Sequence, residues 1–392
     1  MANSNLTSAK NAKNDEFYTQ WADIEREVNA YLEFNPNVFR DRVVLCPCDD
    51  PEWSNFTKFF ALHFSDFGLK KLISTSFAAD SNEYNSNYQP TLFETESPKF
   101  DKDKTRKYGK IFVLERTADN KHKAKINIDD LEWDYLPNDG DFRSIEVSKL
   151  REEVDIIVTN PPFSLFREFI KWIMDEQKWF LIIGNLNAIT YKEVFPLIKK
   201  NKVWLGNNCQ VNGGAMFYEI PEGIANMEQV REVRTDENGK KRYITRVQGV
   251  RWFTNLEHGR RHEPISLMTE KDVVKFGTKK SFNKYDNYDA IEVPLVKHIP
   301  SDYEGVIGVP ISFLDKYCPD QFEILGTTDN GLVDDKFKKT PGLTKEFVND
   351  YYKAGGTGAY KEGNPTAGYY ENGVAKMAYK RILIKAKKEA TQ

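Results

Sequence analysis

The run Val154-Asp155-Ile156-Ile157-Val158-Thr159, followed at once by Asn160-Pro161-Pro162-Phe163, constrains the fold of this chain more than any other segment. A short β-branched run of this kind reads as a buried strand. Two prolines directly beyond it cannot extend a ladder or open a helix freely, so they fix a rigid loop at the strand's carboxyl end. In open α/β sheets ligands bind at that end. The loop offers one amide side chain, backbone carbonyls without ladder partners, and an aromatic ring. An amino group on a flat heterocycle wants two acceptors for its N–H bonds and a π-face to stack on. The same tetrapeptide also reads as a plain strand-to-helix loop, since Asn-Pro and Pro-Pro are ordinary turn punctuation.

The neighbouring segments repeat the strand–helix alternation. Residues 15–31 read as a capped amphipathic helix with Trp21, Ile24, Val28 and Tyr31 on one face. Strands are predicted over 42–46, 69–75, 154–159 and 179–184, with helices over 54–64 and 165–174. This pattern argues for a mainly parallel, doubly wound sheet. A polar stretch at 79–107 reads as a long loop, and 110–116 with 123–128 as a hairpin within a basic insertion near 79–128. After about residue 206 strand-like pieces (216–220, 243–254, 290–293) alternate with charged loops, and 378–385 closes the chain as a strand. The expected division is a flexible tail over 1–14, a catalytic domain over 15–225 and a mixed α+β region over 226–392 whose last strand returns to the core.

Length and composition narrow the class. A chain of 392 residues with 40% hydrophobic and 29% charged residues has ample material for globular cores and is not a disordered polymer. No apolar run approaches the ~20 residues that cross a bilayer. The polar start (1–14) has no apolar segment of the secretory kind. Four cysteines (Cys46, Cys48, Cys209, Cys318) in so long a chain suit a reducing compartment, and a cytoplasmic location is expected. Cys46-Pro47-Cys48 is too tight for a zinc site, so no metal is expected and the bland reading is small buried residues. A net charge of −3 does not advertise a nucleic-acid binder, yet basic residues cluster at 99–125 and 231–261. Each cluster is mixed with acids, so a solvated surface and a phosphate-facing one both stand. His258, Arg260, Arg261 and His262 read as a solvated loop or a phosphate contact rather than as a metal or triad site.

Four segments follow one another in an order that carries more than any one of them. They are Asp15-Glu16-Phe17-Tyr18-Thr19, then Val43-Val44-Leu45-Cys46-Pro47-Cys48-Asp49-Asp50-Pro51, then Asn138-Asp139-Gly140-Asp141-Phe142-Arg143, and last Asn160-Pro161-Pro162-Phe163. The succession resembles the S-adenosylmethionine (AdoMet)-dependent adenine-N6 DNA methyltransferases. It is most similar to the EcoRI modification methylase family, whose members carry a DEFYTQ-like start, a CxCDDP turn and NPPF. The ending Ala378-Tyr379-Lys380-Arg381-Ile382-Leu383-Ile384 looks like that family too.

The resemblance implies a Rossmann-like sheet that binds AdoMet, a C-terminal target-recognition region, and methyl transfer to a flipped-out adenine in double-stranded DNA. It implies that Phe17, Tyr18 and Thr19 lie beside the methionine part of the cofactor. The turn with Cys46, Asp49 and Asp50 would hold the cofactor where other methyltransferases use Gly-x-Gly, and Asp141 and Phe142 would meet its adenine. Asn160, Pro161, Pro162 and Phe163 would hold the target base. The chain departs from the general pattern at Ser74-Thr75-Ser76, where an acid commonly binds ribose hydroxyls, so that work is expected of Asp49 or Asp50. Read without the resemblance, Asp49-Asp50-Pro51 is a helix N-cap, Asp141-Phe142 a turn and a core aromatic, and Phe17 and Tyr18 core. Two rival functions stay open: an N-methyltransferase acting on RNA or a protein glutamine, and a non-catalytic DNA-binding relative. A monomer is compatible with all of these.

Overall fold

The computed structural model describes residues 18–52, 54–78, 99–117, 132–207, 215–220, 230–235, 239, 241–276 and 282–387. The expected tail, Phe17, Cys209, residues 79–98 of the polar stretch and the expected strand at 123–128 lie outside them. Two compact units divide the chain. One comprises residues up to Leu186 together with Leu205–His258; the other comprises Asn187–Trp204 and Gly259 onward.

In chain order the first unit contains β1 (Tyr18–Thr19), α1 (Trp21–Phe34), β2 (Val43–Cys46), α2 (Asn55–Leu62), β3 (Lys71–Thr75), α3 (Lys102–Lys107), β4 (Lys110–Glu115) and β5 (Trp133–Tyr135). It continues with α4 (Ile145–Glu153), β6 (Ile156–Thr159), α5 (Phe166–Asp175) and β7 (Trp179–Asn185). Then follow β8 (Trp204–Leu205), of which Leu205 belongs to this unit, β9 (Ala215–Ile220), β10 (Val230–Thr235), β11 (Lys241–Gln248) and β12 (Val250–Thr254). Eight strands form one sheet in the order β5-β4-β3-β2-β6-β7-β12-β8. The four central strands are parallel, and on the flanks β4 pairs antiparallel with β3, β5 with β4 and β12 with β7. The sheet is therefore mixed, not mainly parallel, because the flanks are built from returning strands. A four-stranded sheet, β1-β9-β11-β10, is the second layer of strands in this unit.

The central strands are buried along their length, which is why they read as continuous apolar runs. Helix α1 buries Ile24, Val28 and Tyr31 at zero exposure, on the face that periodicity assigns. It begins at Trp21 because Tyr18 and Thr19 are held as a strand against β9. Helix α2 buries Phe56, Phe59 and Phe60, and Phe39 and Phe67 extend that aromatic cluster. Ser144 caps α4 by accepting from the Val147 N–H at 3.3 Å. Ser144→Ala is expected to lower stability by about 1 kcal/mol in urea unfolding; an unaltered midpoint would remove the cap's role.

The second unit contains α6 (Phe195–Lys199), α7 (Glu270–Phe276), β13 (Asn283–Lys284), β14 (Ile291–Glu292), β15 (Ile307–Pro310), β16 (Phe322–Thr327) and β17 (Leu332–Val333). It ends with α8 (Lys345–Lys353), the hairpin β18 (Gly368–Glu371) and β19 (Val374–Met377), and β20 (Arg381–Ala386). Six strands form its sheet in the order β13-β14-β15-β20-β16-β17. The closing strand β20 lies at the centre of this sheet, between β15 and β16, and is not part of the first unit's sheet. Conversely, β12 lies beyond residue 225 yet pairs with β7. At the second unit's core Glu292, fully buried, receives Arg381 at 2.7 Å and the Tyr285 hydroxyl. A charge so buried is tolerable only with such partners. No helix among the described residues is long and apolar enough to cross a membrane.

Candidate active site

Strands β2 and β6 are parallel neighbours, with Val44 opposite Ile156 and Leu45 opposite Ile157. From β2 the sheet continues to β3 on one side, and from β6 to β7 on the other. The winding direction thus reverses between β2 and β6, and a crevice opens at the carboxyl ends of such a pair. The Cys46–Pro51 turn leaves one of these ends and Asn160–Phe163 leaves the other.

Asp49 ties the two together. Its side chain is 5% exposed. Oδ1 accepts from the Ser54 hydroxyl at 2.6 Å, and Oδ2 accepts from the hydroxyl of Thr159, the residue before Asn160. The Asp49 N–H donates to the Thr75 carbonyl at 2.9 Å, and its own carbonyl accepts from Ser74 Oγ. Ser74-Thr75-Ser76, where the resemblance leads to the expectation of an acid, here braces the turn. Burial pushes the Asp49 carboxyl up to about 7, against the two hydroxyl donors, and the Asp50 charge adds to the rise.

Asp50 accepts from the Glu52 N–H at 2.8 Å and from Lys110 Nζ at 3.1 Å; Lys110 also meets Glu52 at 2.7 Å. The Lys110 side chain is 4% exposed and stands over the Trp133 ring. Burial pulls this ammonium's pKa down, but Asp50 and Glu52 outweigh it and hold it above the ordinary lysine value. Lys110 is therefore not part of a phosphate-facing stretch, because two carboxylates near the turn claim it. Cys46 is fully buried, so its thiol belongs to the core and only its backbone borders the turn.

The third segment arrives through close backbone packing. Gly140 has φ +76°, and a Cβ there would meet the Ser76 carbonyl at 2.1 Å. That approach lets Asp139 accept from the Ala78 N–H at 2.7 Å and sets the Asn138–Asp141 turn against the end of β3. Asp141 accepts from Arg143 Nε at 2.9 Å and Nη2 at 2.7 Å. Burial opposes ionisation, but the Arg143 bonds and charge hold the Asp141 carboxyl below the usual range. Partial burial pushes the Cys48 thiol up, and the charges of Asp49 and Asp141 act on it in the same direction. Phe142 is 4% exposed, edge-on to Phe169 and Trp172 with ring centroids 4.9 and 5.6 Å away. Its ring is a core aromatic and is not presented to the crevice.

Thr19 is buried, and its carbonyl accepts from Asn55 Nδ2 at 2.7 Å, so β1 meets the start of α2 just after the acidic turn. Tyr18 pairs through its backbone with Glu219. In the loop after β6, Pro161 is buried, while Asn160, Pro162 and Phe163 are half-buried. Phe163 packs on the core cluster of the first unit. Sequence reasoning missed Ser54, Thr159 and Lys110 as parts of this site; Thr159 sits directly before Asn160, which is the one signal that pointed to it. His258 and Arg261, read as part of a solvated loop or a phosphate contact, are both buried. The His258 ring nitrogen bonds the Leu205 carbonyl at 3.0 Å, and Arg261 stacks on Trp204 at 3.7 Å. No group of side chains suited to holding a metal ion occurs among the described residues.

A mixed sheet with an acidic turn and an Asn-Pro-Pro-Phe loop at its switch point is the arrangement expected of the nitrogen methyltransferases. Within that class the chain belongs to the EcoRI adenine-specific methyltransferase family, whose model matches residues 5–387. It is similar to the type II methyltransferase M.EcoRI of Escherichia coli, 42% identical over 320 residues that cover 82% of this chain and 88% of the relative. It is also similar to the type II methyltransferase M.MpnI of Mycoplasma pneumoniae, 33% identical over 356 residues covering 90% and 94%. A third relative, M.MgeORF184P of Mycoplasma genitalium, is 32% identical over 356 residues covering 90% and 95%. No solved structure matches the chain.

Proposed function

We propose that this methyltransferase moves a methyl group from AdoMet to N6 of an adenine flipped out of double-stranded DNA. The observation that carries this reading is the Asp49–Thr159 bond, which locks the acidic turn to the loop holding Asn160 at one switch point. On this reading the first unit is a Rossmann-like catalytic domain, and the second unit contributes to target recognition. An enzyme acting on chromosomal DNA works in the bacterial cytoplasm.

The residues present fit the cofactor in kind. Bound AdoMet supplies an electrophilic methyl on a sulfonium, beside an ammonium and two ribose hydroxyls. Asp49, Asp50, Glu52 and Asp141 around the strand ends form an acidic set of acceptors suited to those groups. The backbones of Tyr18, Thr19 and Cys46–Asp50 would border the cofactor, as would Asp141; Phe142 would act only by supporting Asp141 from below.

Adenine N6 is a poor nucleophile because its lone pair is delocalised into the ring. The Asn160 side-chain oxygen and the Pro161 carbonyl would accept both N6 hydrogens and favour a pyramidal nitrogen with a freed lone pair. The same acceptors stabilise the positive charge that develops on N6. The rigid prolines fix their positions, so alignment is in place before reaction. No general base is needed in the transfer itself, because the extra proton becomes acidic once the new bond forms. Phe163 would stack on the extruded base and offset part of the unstacking cost. Phe163→Ala is expected to lower kcat/KM on duplex DNA by about tenfold to a hundredfold, the worth of one base–aromatic stack; an unchanged value would remove the stacking role.

The direct test is transfer of labelled methyl from AdoMet to unmethylated duplex DNA, followed by nucleoside analysis. N6-methyladenine is the expected product. Label in RNA or protein, with none in DNA, would overturn the DNA reading.

A further inference from the structure

Strands β10 and β11 form an antiparallel ribbon at the outer edge of the four-stranded sheet. From Arg231 to Thr235 every residue of β10 is exposed, including Val233 at 45%. A strand buried on neither face has no role in a core. Exposed edge strands are also a liability that proteins usually remove or cover. Between Val230 and Gln248 the chain places six basic residues against three acidic ones, in a protein of net charge −3. Glu232, which bonds Arg234 at 2.9 and 3.0 Å, is a partial counterion within the ribbon.

The ribbon's root explains where it stands. β11 runs through Gly249, at φ +73°, straight into β12. Val250 at the start of β12 pairs with Asn185 at the carboxyl end of β7, and the Gly249 carbonyl accepts from the Leu186 N–H at 2.6 Å. Because β6 and β7 are parallel, that end of β7 lies on the same rim of the sheet as Asn160. The other edge of the ribbon's sheet is β1, bonded to the start of α2. The ribbon is thus rooted at the rim that carries the catalytic loop. A strand of six residues is about 20 Å long, and a two-stranded ribbon fits the major groove of B-DNA, roughly 12 Å wide.

We infer that the β10–β11 ribbon is a DNA-gripping element that turns its free edge β10 into the groove, with Arg234 on one face of the ribbon, Lys241 on the other and Arg231 at the register shift meeting phosphates on either side. The inference rests on the proposed reaction with duplex DNA and names the surface that holds it. Each phosphate contact contributes a slope of about −0.9 to the dependence of log K on log salt. The triple variant Arg231→Ala/Arg234→Ala/Lys241→Ala of the full chain is expected to flatten that slope by about two to three and to weaken duplex binding on the order of a hundredfold near 0.1 M salt. AdoMet affinity stays unchanged. The corresponding lysine exchange at the two arginines retains most of the slope, since a phosphate is satisfied by a point charge. Glu232→Gln is expected to act in the opposite direction and tighten duplex binding, because it removes the internal anion that competes for Arg234.

The outcomes separate the two layers of the argument. An unmodified enzyme that neither binds duplex DNA nor places methyl in it overturns the reaction and the ribbon's role together. An unmodified enzyme that methylates duplex DNA, alongside a triple variant with unaltered affinity and salt slope, overturns the ribbon alone. Glu232→Gln that weakens binding also overturns it, and this variant removes no basic residue on which folding could depend.

Discussion

Asn160→Ala is expected to lower the single-turnover rate of methyl transfer by about 10²–10³, the usual effect of removing one preorganised polar partner of a developing charge. AdoMet binding should persist, because the acidic turn after β2 keeps its own bonds to Ser54, Thr159 and Thr75. The reason for the large effect is that the amide oxygen would act on N6 mainly as charge develops, so its loss falls on the transition state more than on the ground state. Steady-state kcat can hide this when product release is slow, so the rate is read from a rapid-quench experiment with enzyme in excess. An unchanged single-turnover rate would withdraw Asn160 from the chemistry.

The second large effect is expected at Asp49. Asp49→Ala leaves the buried hydroxyls of Ser54 and Thr159 without their common acceptor and opens space between the turn and the catalytic strand. Each buried hydroxyl left without its acceptor costs about 1–3 kcal/mol, measured by denaturant unfolding, and methyl transfer should fall with it. Asp49→Asn is the sharper probe, because it isolates the charge. The unfolded carboxyl ionises near its ordinary 3.8, whereas the folded one keeps its proton until about 7. Between those values the folded state holds more protons than the unfolded one. The stability attached to Asp49 is therefore complete below about pH 4 and is lost as pH rises through 7, at up to about 1.4 kcal/mol per pH unit. The Asn variant, neutral throughout, should show a flatter dependence of unfolding free energy on pH across this window. Equal slopes for the two proteins would show that Asp49 is already ionised near pH 5.

Much of the central sheet was legible because its strands are short β-branched runs buried on both faces, and α1 and α2 because their apolar faces keep the helical period. The flanks were not. Nothing local in Val250–Thr254 announces that it pairs with β7, and Gly249 alone separates it from a strand that belongs to a different sheet. The closing strand was visible as a strand, but its place between β15 and β16 depends on partners 55 to 77 residues back in the chain. At the site, the acidic turn and the Asn-Pro-Pro-Phe loop could be read, while the bonds joining them could not: Thr159 is 110 residues from Asp49, and Lys110 is 60 from Asp50. Lys110 looked like one more surface charge because charge shows in a sequence and burial of a charged head does not. Phe142 shows the converse, a residue whose packing no local signal announces. Its motif position suggested contact with a ligand, and Phe169 and Trp172, spaced on one face of α5, take its ring into the core.

The late arrival of β12 has a consequence for synthesis of the protein. The first unit is interrupted: the chain leaves it after Leu186 and supplies β12 only at Val250–Thr254. Until then one side of β7, with Phe180, Leu181, Ile182 and Ile183 in sequence, has no strand to pair with. About 65 residues must be added in that interval, which at ribosomal speed is roughly 3–13 s. An apolar strand left open for seconds is a template for pairing with another nascent chain. Yield in the cell should therefore depend on how quickly the ribosome passes from Leu186 to Thr254, and slow codons in that stretch should shift the product toward aggregates without altering the finished enzyme.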